Sequence, residues 1–271
     1  MIVNTWLDSV PIWLMLLGTV AVSLVALEGG YRLGLRRGTS PDKEKEGPIG
    51  ASVSGLAGLL ALMLAFVFGF AVNRFEERRR SVIDEANAIG TCYLRSSMLP
   101  EPHRRQVRQK LREYVDVRIN AVENIASMGA AVDRSNELQG ELWEEARIVA
   151  EKDARSIPYG LFIESLNLVI DLHSERLAAG ARTRLPGLVW TVLFSLVVFS
   201  FGAMGYLVGL TDSTRSPALV AVALAFAMTV WLVVDLERPQ EGALKASQRP
   251  MLDLQRSIAE PKTLTPPIPN Q

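Results

Sequence analysis

Cysteine and histidine are nearly absent from this 271-residue chain, which has one cysteine, Cys92, and two histidines, His103 and His173. A lone thiol excludes an internal disulfide and suits a reducing compartment. Neither histidine has a cysteine or a second histidine at metal-ligand spacing. No glycine-rich phosphate loop, nucleophile elbow or HExxH run occurs. Neither a cofactor nor a metal is expected, and the chain is not expected to be an enzyme. Excess charge is missing too. Lys plus Arg and Asp plus Glu each number 29, so no basic footprint exists for nucleic acid. No Lys or Arg precedes Arg32, so the first apolar block lacks the positive flank of a secretory signal and reads as a retained span. Period-two alternation is absent over any useful length, so no sheet is expected.

What the chain does have is apolar sequence gathered in blocks. Hydrophobic residues make up 49% of it, and four windows rich in them carry almost no charge. The first runs from about Pro11 to Leu27, with Ser9 as its N-cap, and extends toward Arg32. The second, Ala51 to Val72, has no charged residue at all. The third follows Pro186 and runs from Gly187 to Leu210, and the fourth runs from Pro217 to Val234. Each can cross about 30 Å of hydrocarbon. The connector from Gly38 to Gly47 reads as exposed loop, and Asp212 to Ser216 as a tight turn between spans three and four.

An even number of spans places both termini and the long central segment on one side. That side carries Arg74, Arg78, Arg79, Arg80, Arg176, Arg182, Arg184, Arg238, Lys245 and Arg249. The other carries Arg32, Arg36, Arg37, Lys43, Lys45 and Arg215. The positive-inside rule puts the richer side in the cytoplasm. The expectation is a multi-pass protein of the inner or plasma membrane, with lipid as partner and both termini cytoplasmic. Its fold class is all-α: four transmembrane helices with a cytoplasmic helical bundle inserted between helices 2 and 3. The expected division is 1–50 for the first span and connector, 51–72 for the second span and 73–185 for the bundle. Residues 186–236 hold spans three and four, and 237–271 form a C-terminal tail.

Within the central segment, apolar positions recur at helical spacing. Span two runs on through Phe75, Val82, Ala86, Ile89 and Tyr93 without a Gly or Pro between Asn73 and Ile89. After Pro100 and Pro102 comes the series Val107, Leu111, Tyr114, Arg118, Val122 and Ile125. Leu138, Leu142, Ala146 and Val149 form a third helix, and Ile163, Leu166, Ile170, His173 and Leu177 a fourth after Pro158. Four amphipathic helices make a bundle. His173 reads as a bundle residue with a hydrogen-bond partner, and His103 as solvated at a helix start. Glu141, Glu144 and Glu145 read as a solvated face. Met251, Leu254 and Ile258 suggest one more short helix, and the proline-rich stretch from Pro261 an unstructured tail.

Span two is the informative element. Ser54, Gly58, Ala61, Ala65 and Gly69 share a face that lets another helix backbone approach. Leu62, Phe66 and Phe70 step by four along a neighbouring stripe. Such a stripe meets lipid or another helix, or it lines a symmetric pore whose apolar rings gate ions by dewetting. Beyond it, Arg74, Glu77 and Arg79 are candidates for a juxtamembrane charged ring, against the alternative of an interfacial anchor. Asp84, Asn87 and Thr91 share a polar face, a candidate for bundle register or for a ligand site. Asp235, at the end of span four, is expected to pair with an arginine of the Arg74–Arg80 cluster, because a carboxylate there must be hydrated or paired.

Several runs carry a resemblance. Arg74-Phe75-Glu76-Glu77-Arg78-Arg79 resembles the Arg-Phe-Trp-Glu-Ala-Arg run after the second span of bestrophins. Asp235-Leu236-Glu237-Arg238-Pro239 resembles the bestrophin Glu-Leu-Glu-x-Pro segment, with Gly242 displaced by one. Gly58 to Ala61, Phe66-x-Phe68-Gly69 and Asp84 to Thr91 are similar to a bacterial bestrophin-like family of unknown function. The resemblance implies four spans, a homo-oligomer that is pentameric in bestrophins, and a hydrophobic neck at Leu62, Phe66 and Phe70. Glu76 replaces the tryptophan of the bestrophin run, and no carboxylate cluster follows Glu241. Calcium gating is therefore not implied.

Overall fold

The computed structural model describes residues 10–37, 46–123, 128–182, 185–211, 217–238, 244 and 246–259. Ser9, most of the first connector, Ile125, the 212–216 turn, Gly242 and the tail from Pro261 fall outside the described residues. Among the described residues all regular structure is helical. The helices are α1 (Ile12–Arg37), α2 (Glu46–Arg95), α3 (His103–Glu123), α4 (Met128–Lys152), α5 (Ile157–Arg182), α6 (Gly187–Leu210), α7 (Pro217–Glu237) and α8 (Arg249–Ala259), with a short 3-10 turn at Ser96–Met98. Four of them, α1, α2, α6 and α7, are long and apolar enough to cross a membrane.

Local sequence explains the boundaries. Pro217 opens α7 and Pro158 sits in the first turn of α5, where a missing N–H leaves no intrahelical bond unmade. Pro186 caps α6 in an extended conformation. No proline interrupts α2 after Pro48, and its 50 residues extend for about 75 Å. That is more than twice the hydrocarbon thickness of a bilayer. The charge-free stretch 51–72 supplies the span, and the remainder of the helix is polar enough to lie in water.

The chain forms two compact units. Unit one comprises Met1–Glu76 and Ala181–Lys245. Its core joins Leu60, Leu64, Val67 and Ala71 of α2 to Leu193 and Val197 of α6 and Val230 of α7. Between α1 and α6 the backbones touch. A Cβ added at Gly30 would lie 1.9 Å from the Gly202 carbonyl oxygen, and one at Gly205 would lie 2.0 Å from that of Leu27. Gly34 and Gly209 are equally tight, at 2.4 Å from the Tyr206 oxygen and 2.3 Å from the Tyr31 oxygen. The small-residue face of α2 makes no such approach within the chain. A Cβ at Gly58 or Gly69 would meet nothing within 4 Å, and Ser54, Ala61 and Ala65 are exposed. Close backbone contact needs small residues on both partners, and α1 and α6 supply both halves.

Unit two comprises Glu77–Gly180 and Ala246–Gln271. Ile89 of α2, Leu111 of α3, Leu138 and Leu142 of α4, Phe162 and Leu166 of α5 and Met251 of α8 lie together in its core. Most of the expected apolar series is buried. Val122 is an exception at 42% exposure, because it lies in the last turn of α3. The short helix α8 belongs to this core, with Met251 and Ile258 buried.

Candidate functional site

In unit one, α2 has two faces. Val53, Leu60, Leu64, Val67 and Ala71 are buried against the other helices. Leu62, Phe66 and Phe70 point the other way and are 54%, 60% and 57% exposed. Three large apolar side chains on one stripe thus remain uncovered by this chain. Arg74, one turn further on, is turned inward, and its Nη1 lies 3.7 Å from Glu237 Oε2 of α7. Asp235 accepts the Leu244 N–H at 3.0 Å, and Glu237 is the carboxylate beside Arg74. The last turn of α7 thereby holds chain segments on either side of it, since Glu237 Oε2 also accepts the Leu185 N–H at 3.0 Å. Arg79, in the same run, is exposed.

In unit two, Glu77 is exposed, as are Asp84, Asn87 and Thr91 on the α2 surface. Their neighbour Glu85 is fully buried and is the centre of a polar network. Arg118 of α3 donates from Nε to Glu85 Oε1 at 2.9 Å and from Nη2 to Oε2 at 3.3 Å. Arg176 of α5 donates to Glu85 Oε2 and, from Nη2, to Gln248 Oε1 at 3.1 Å. Tyr114 donates its hydroxyl to Glu85 Oε1 at 3.2 Å. Its oxygen is therefore the acceptor for Gln139 Nε2 at 3.2 Å and for His173 Nδ1 at 3.0 Å. That tautomer leaves Nε2 of His173 as a buried lone pair without a partner.

The electrostatics follow from the charge balance of one carboxylate and two guanidiniums. Burial pushes the Glu85 carboxyl up, but Arg118 and Arg176 outweigh it and hold the group below its ordinary value. Burial, and then the charge of Arg118, lowers His173 from 6.5 to about 4. Burial raises the Tyr114 hydroxyl, and Glu85 adds to the rise. The network therefore holds an ionised Glu85 beside a neutral imidazole. It has the properties of a structural tie between helices, with no nucleophile and no exposed acid–base pair. Among the described residues, no group of three His, Cys, Asp or Glu could hold a metal ion.

A model of the bestrophin-like domain matches residues 18–251. The chain belongs to the bestrophin-like family. Its fold also matches solved structures across nearly the whole length. One is a point mutant of a bacterial bestrophin homolog from Klebsiella pneumoniae, 18% identical, with TM-score 0.63, covering 91% of this chain and 97% of that one. A second mutant of that homolog gives 17% identity and TM-score 0.64, covering 92% and 97%. A crystallised variant described as a membrane protein gives 18% and 0.66, covering 91% and 97%. At such identities the likeness concerns fold. No curated protein matches the chain.

Two further features of this bestrophin-like chain depart from expectation. His103 is buried, not solvated. Its Nδ1 lies 2.8 Å from Glu145 Oε2, and its Nε2 accepts from Lys152 Nζ at 2.9 Å. Glu145 is buried with it, while Glu141 and Glu144 stay on the surface in pairs with Lys110 and Arg147. Burying Glu145 requires donors, and His103 and the Gln106 amide in the first turn of α3 are both in reach. The Glu85 network also had a sequence signal. Glu85 falls in the apolar series Val82, Glu85, Ile89, Cys92, and Arg118 in the series Leu111, Tyr114, Arg118. Two opposite charges, each inside an apolar stripe, call for one another.

Proposed function

We propose that this chain assembles with copies of itself into an ion channel of bestrophin-like build, with α2 around the axis and Leu62, Phe66 and Phe70 as stacked rings of a hydrophobic neck. The pentamer is taken from the resemblance to bestrophins. The observation that carries the reading is the uncovered stripe on α2, whose opposite face is fully used in the core. Family membership supports it. Apolar rings of this kind close a pore by dewetting and do not select charge. Glu77 and Arg79, both exposed, are the charged candidates beyond the neck, and Arg74 is withdrawn into its contact with Glu237. Asp84, Asn87 and Thr91 are offered as contacts between copies or to a ligand. Unit two and both termini are placed in the cytoplasm of a multi-pass inner or plasma membrane protein by the excess of arginine on that side.

The test is ion flux through purified chain in liposomes, together with particle images down the symmetry axis. Phe66→Ala and Phe70→Ala should each raise the flux, because smaller rings stay wet. A ring-shaped particle whose flux ignores both substitutions would remove the neck from the proposal. The competing reading is a non-conducting membrane-anchored scaffold whose bundle docks a partner. It draws on apolar side chains exposed on unit two, Leu94 at 71% and Ile157 at 76%. A strictly monomeric particle without flux would favour it.

A further inference from the structure

Arg74 lies one helical turn after Phe70 on α2, and Glu237 is the last residue of α7. Their ion pair is only half made. Glu237 Oε2 is engaged by the Leu185 N–H at 3.0 Å, and Arg74 Nη1 stands 3.7 Å from that same oxygen, outside hydrogen-bond range. Arg74 Nη1 and Glu237 Oε1 are both buried, and neither has a hydrogen-bond partner. Buried polar atoms are normally satisfied, and an arginine–carboxylate pair favours two parallel hydrogen bonds. Closing the gap requires a movement of about 1 Å, the difference between the present separation and an ordinary charge-assisted bond.

The two partners are not equally free to move. Glu237 is held by the Leu185 N–H, and Asp235, two residues earlier, holds the Leu244 N–H at 3.0 Å. The end of α7 is thus fixed to the chain on either side of it. Arg74 is carried by α2, which is packed on one face through Val67 and Ala71 and uncovered on the other along Phe66 and Phe70. Phe70 and Arg74 share one continuous helix, so a shift at Arg74 displaces Phe70 with it.

We infer that Arg74 and Glu237 form a latch with two settings, half made and bidentate, which positions Phe70 and thereby sets the width of the neck. The inference rests on reading Leu62, Phe66 and Phe70 as that neck. Glu237 is a positioning residue that acts through α2 without meeting the permeating ion.

The experiment uses the full chain in liposomes with Phe70→Cys, labelled by a water-soluble thiol reagent. Cys92 does not interfere, being buried with its thiol pushed up to about 12 by that burial. Labelling is compared in three backgrounds: otherwise native, Glu237→Gln and Arg74→Lys. Glu237→Gln keeps an oxygen for the Leu185 N–H and removes the charge that draws Arg74. It should speed labelling about tenfold, the weight of one charge-assisted hydrogen bond. Arg74→Lys should give a smaller acceleration, since an ammonium cannot make two parallel bonds. It also decides the matter if Glu237→Gln fails to fold. Equal rates in all three backgrounds, or slower labelling in either variant, overturn the latch and leave the neck standing. No labelling of Phe70→Cys in any background places that face in lipid and overturns both.

Discussion

The two units of this chain solve the same problem, fixing helices in register, by opposite means. In unit one, α1 meets α6 through Gly30, Gly34, Gly205 and Gly209, with backbone against backbone and no charge involved. In unit two, α2, α3 and α5 meet through Glu85, Arg118 and Arg176, three charged side chains that are nearly or fully buried. The solvent accounts for the difference. Lipid offers no hydrophobic drive for helix association, so close fit must supply it. In water, apolar burial drives collapse without directing it, and a polar network whose charges are paired picks out one register. A steric seam fails when an atom is added, and an ionic one fails when a partner is taken away.

The largest effect should therefore come from unit two. Glu85→Ala leaves two guanidiniums buried without a carboxylate, a loss of about 3–5 kcal/mol. Hydrogen exchange should rise throughout α3 and α5 while α1 and α6 keep their protection. Protection lost equally in both units would mean that they unfold as one. A somewhat smaller effect should follow from acid. His173 is neutral in the folded chain down to about 4 but protonates near 6.5 when unfolded. The unfolded state binds the extra proton between those values, so stability falls as pH drops through that window. The full shift corresponds to roughly 3 kcal/mol. A thermal melt of unit two across this range should show the slope, and His173→Gln should flatten it.

How much of this could be read in the sequence also differs between the units. The apolar blocks located four helices closely, because a charge-free stretch such as Ala51 to Val72 has few alternatives in water. The glycine seam was harder to see. Ser54 to Gly69 and Gly30 to Gly34 carry the same small-residue spacing, and only a partner's position tells which one is used. In unit two the periodicity marked Leu138, Leu142, Ala146 and Val149 for the core, and all four are buried. It also places Arg118 among apolar residues, while on α2 the candidates Asp84, Asn87 and Thr91 are exposed and Glu85 beside them is buried. One residue along a helix is a turn of about 100°, enough to exchange solvent for core. His103 departs from expectation for a related reason. A helix start is usually wet, but here α4 covers it with Glu145 and Lys152.

The seam of unit one supplies the next test. Gly205→Ala puts a methyl 2.0 Å from the Leu27 oxygen, and the two helices must part. Overpacking of this kind costs about 1–3 kcal/mol, and it should appear as a lower melting temperature in detergent. Gly58→Ala meets nothing within 4 Å and should leave the isolated chain unchanged. If Gly58→Ala instead disrupts the purified particle, its small face is occupied by another copy.

The smallest effect should come from the rim of α8. Gln255 Nε2 donates to Asp116 Oδ1 at 2.7 Å, but the contact is exposed, and water replaces either partner when it breaks. Gln255→Ala should therefore change stability by less than about 0.5 kcal/mol. Met251, fully buried on the same helix, supplies the contrast, because its side chain lies in the core of unit two. If Gln255→Ala released α8, measured as fast exchange of its amides with unit two otherwise intact, the helix would be held by its rim and not by burial. The hydrogen bond from Arg176 to Gln248, just before α8, would then be the attachment that matters.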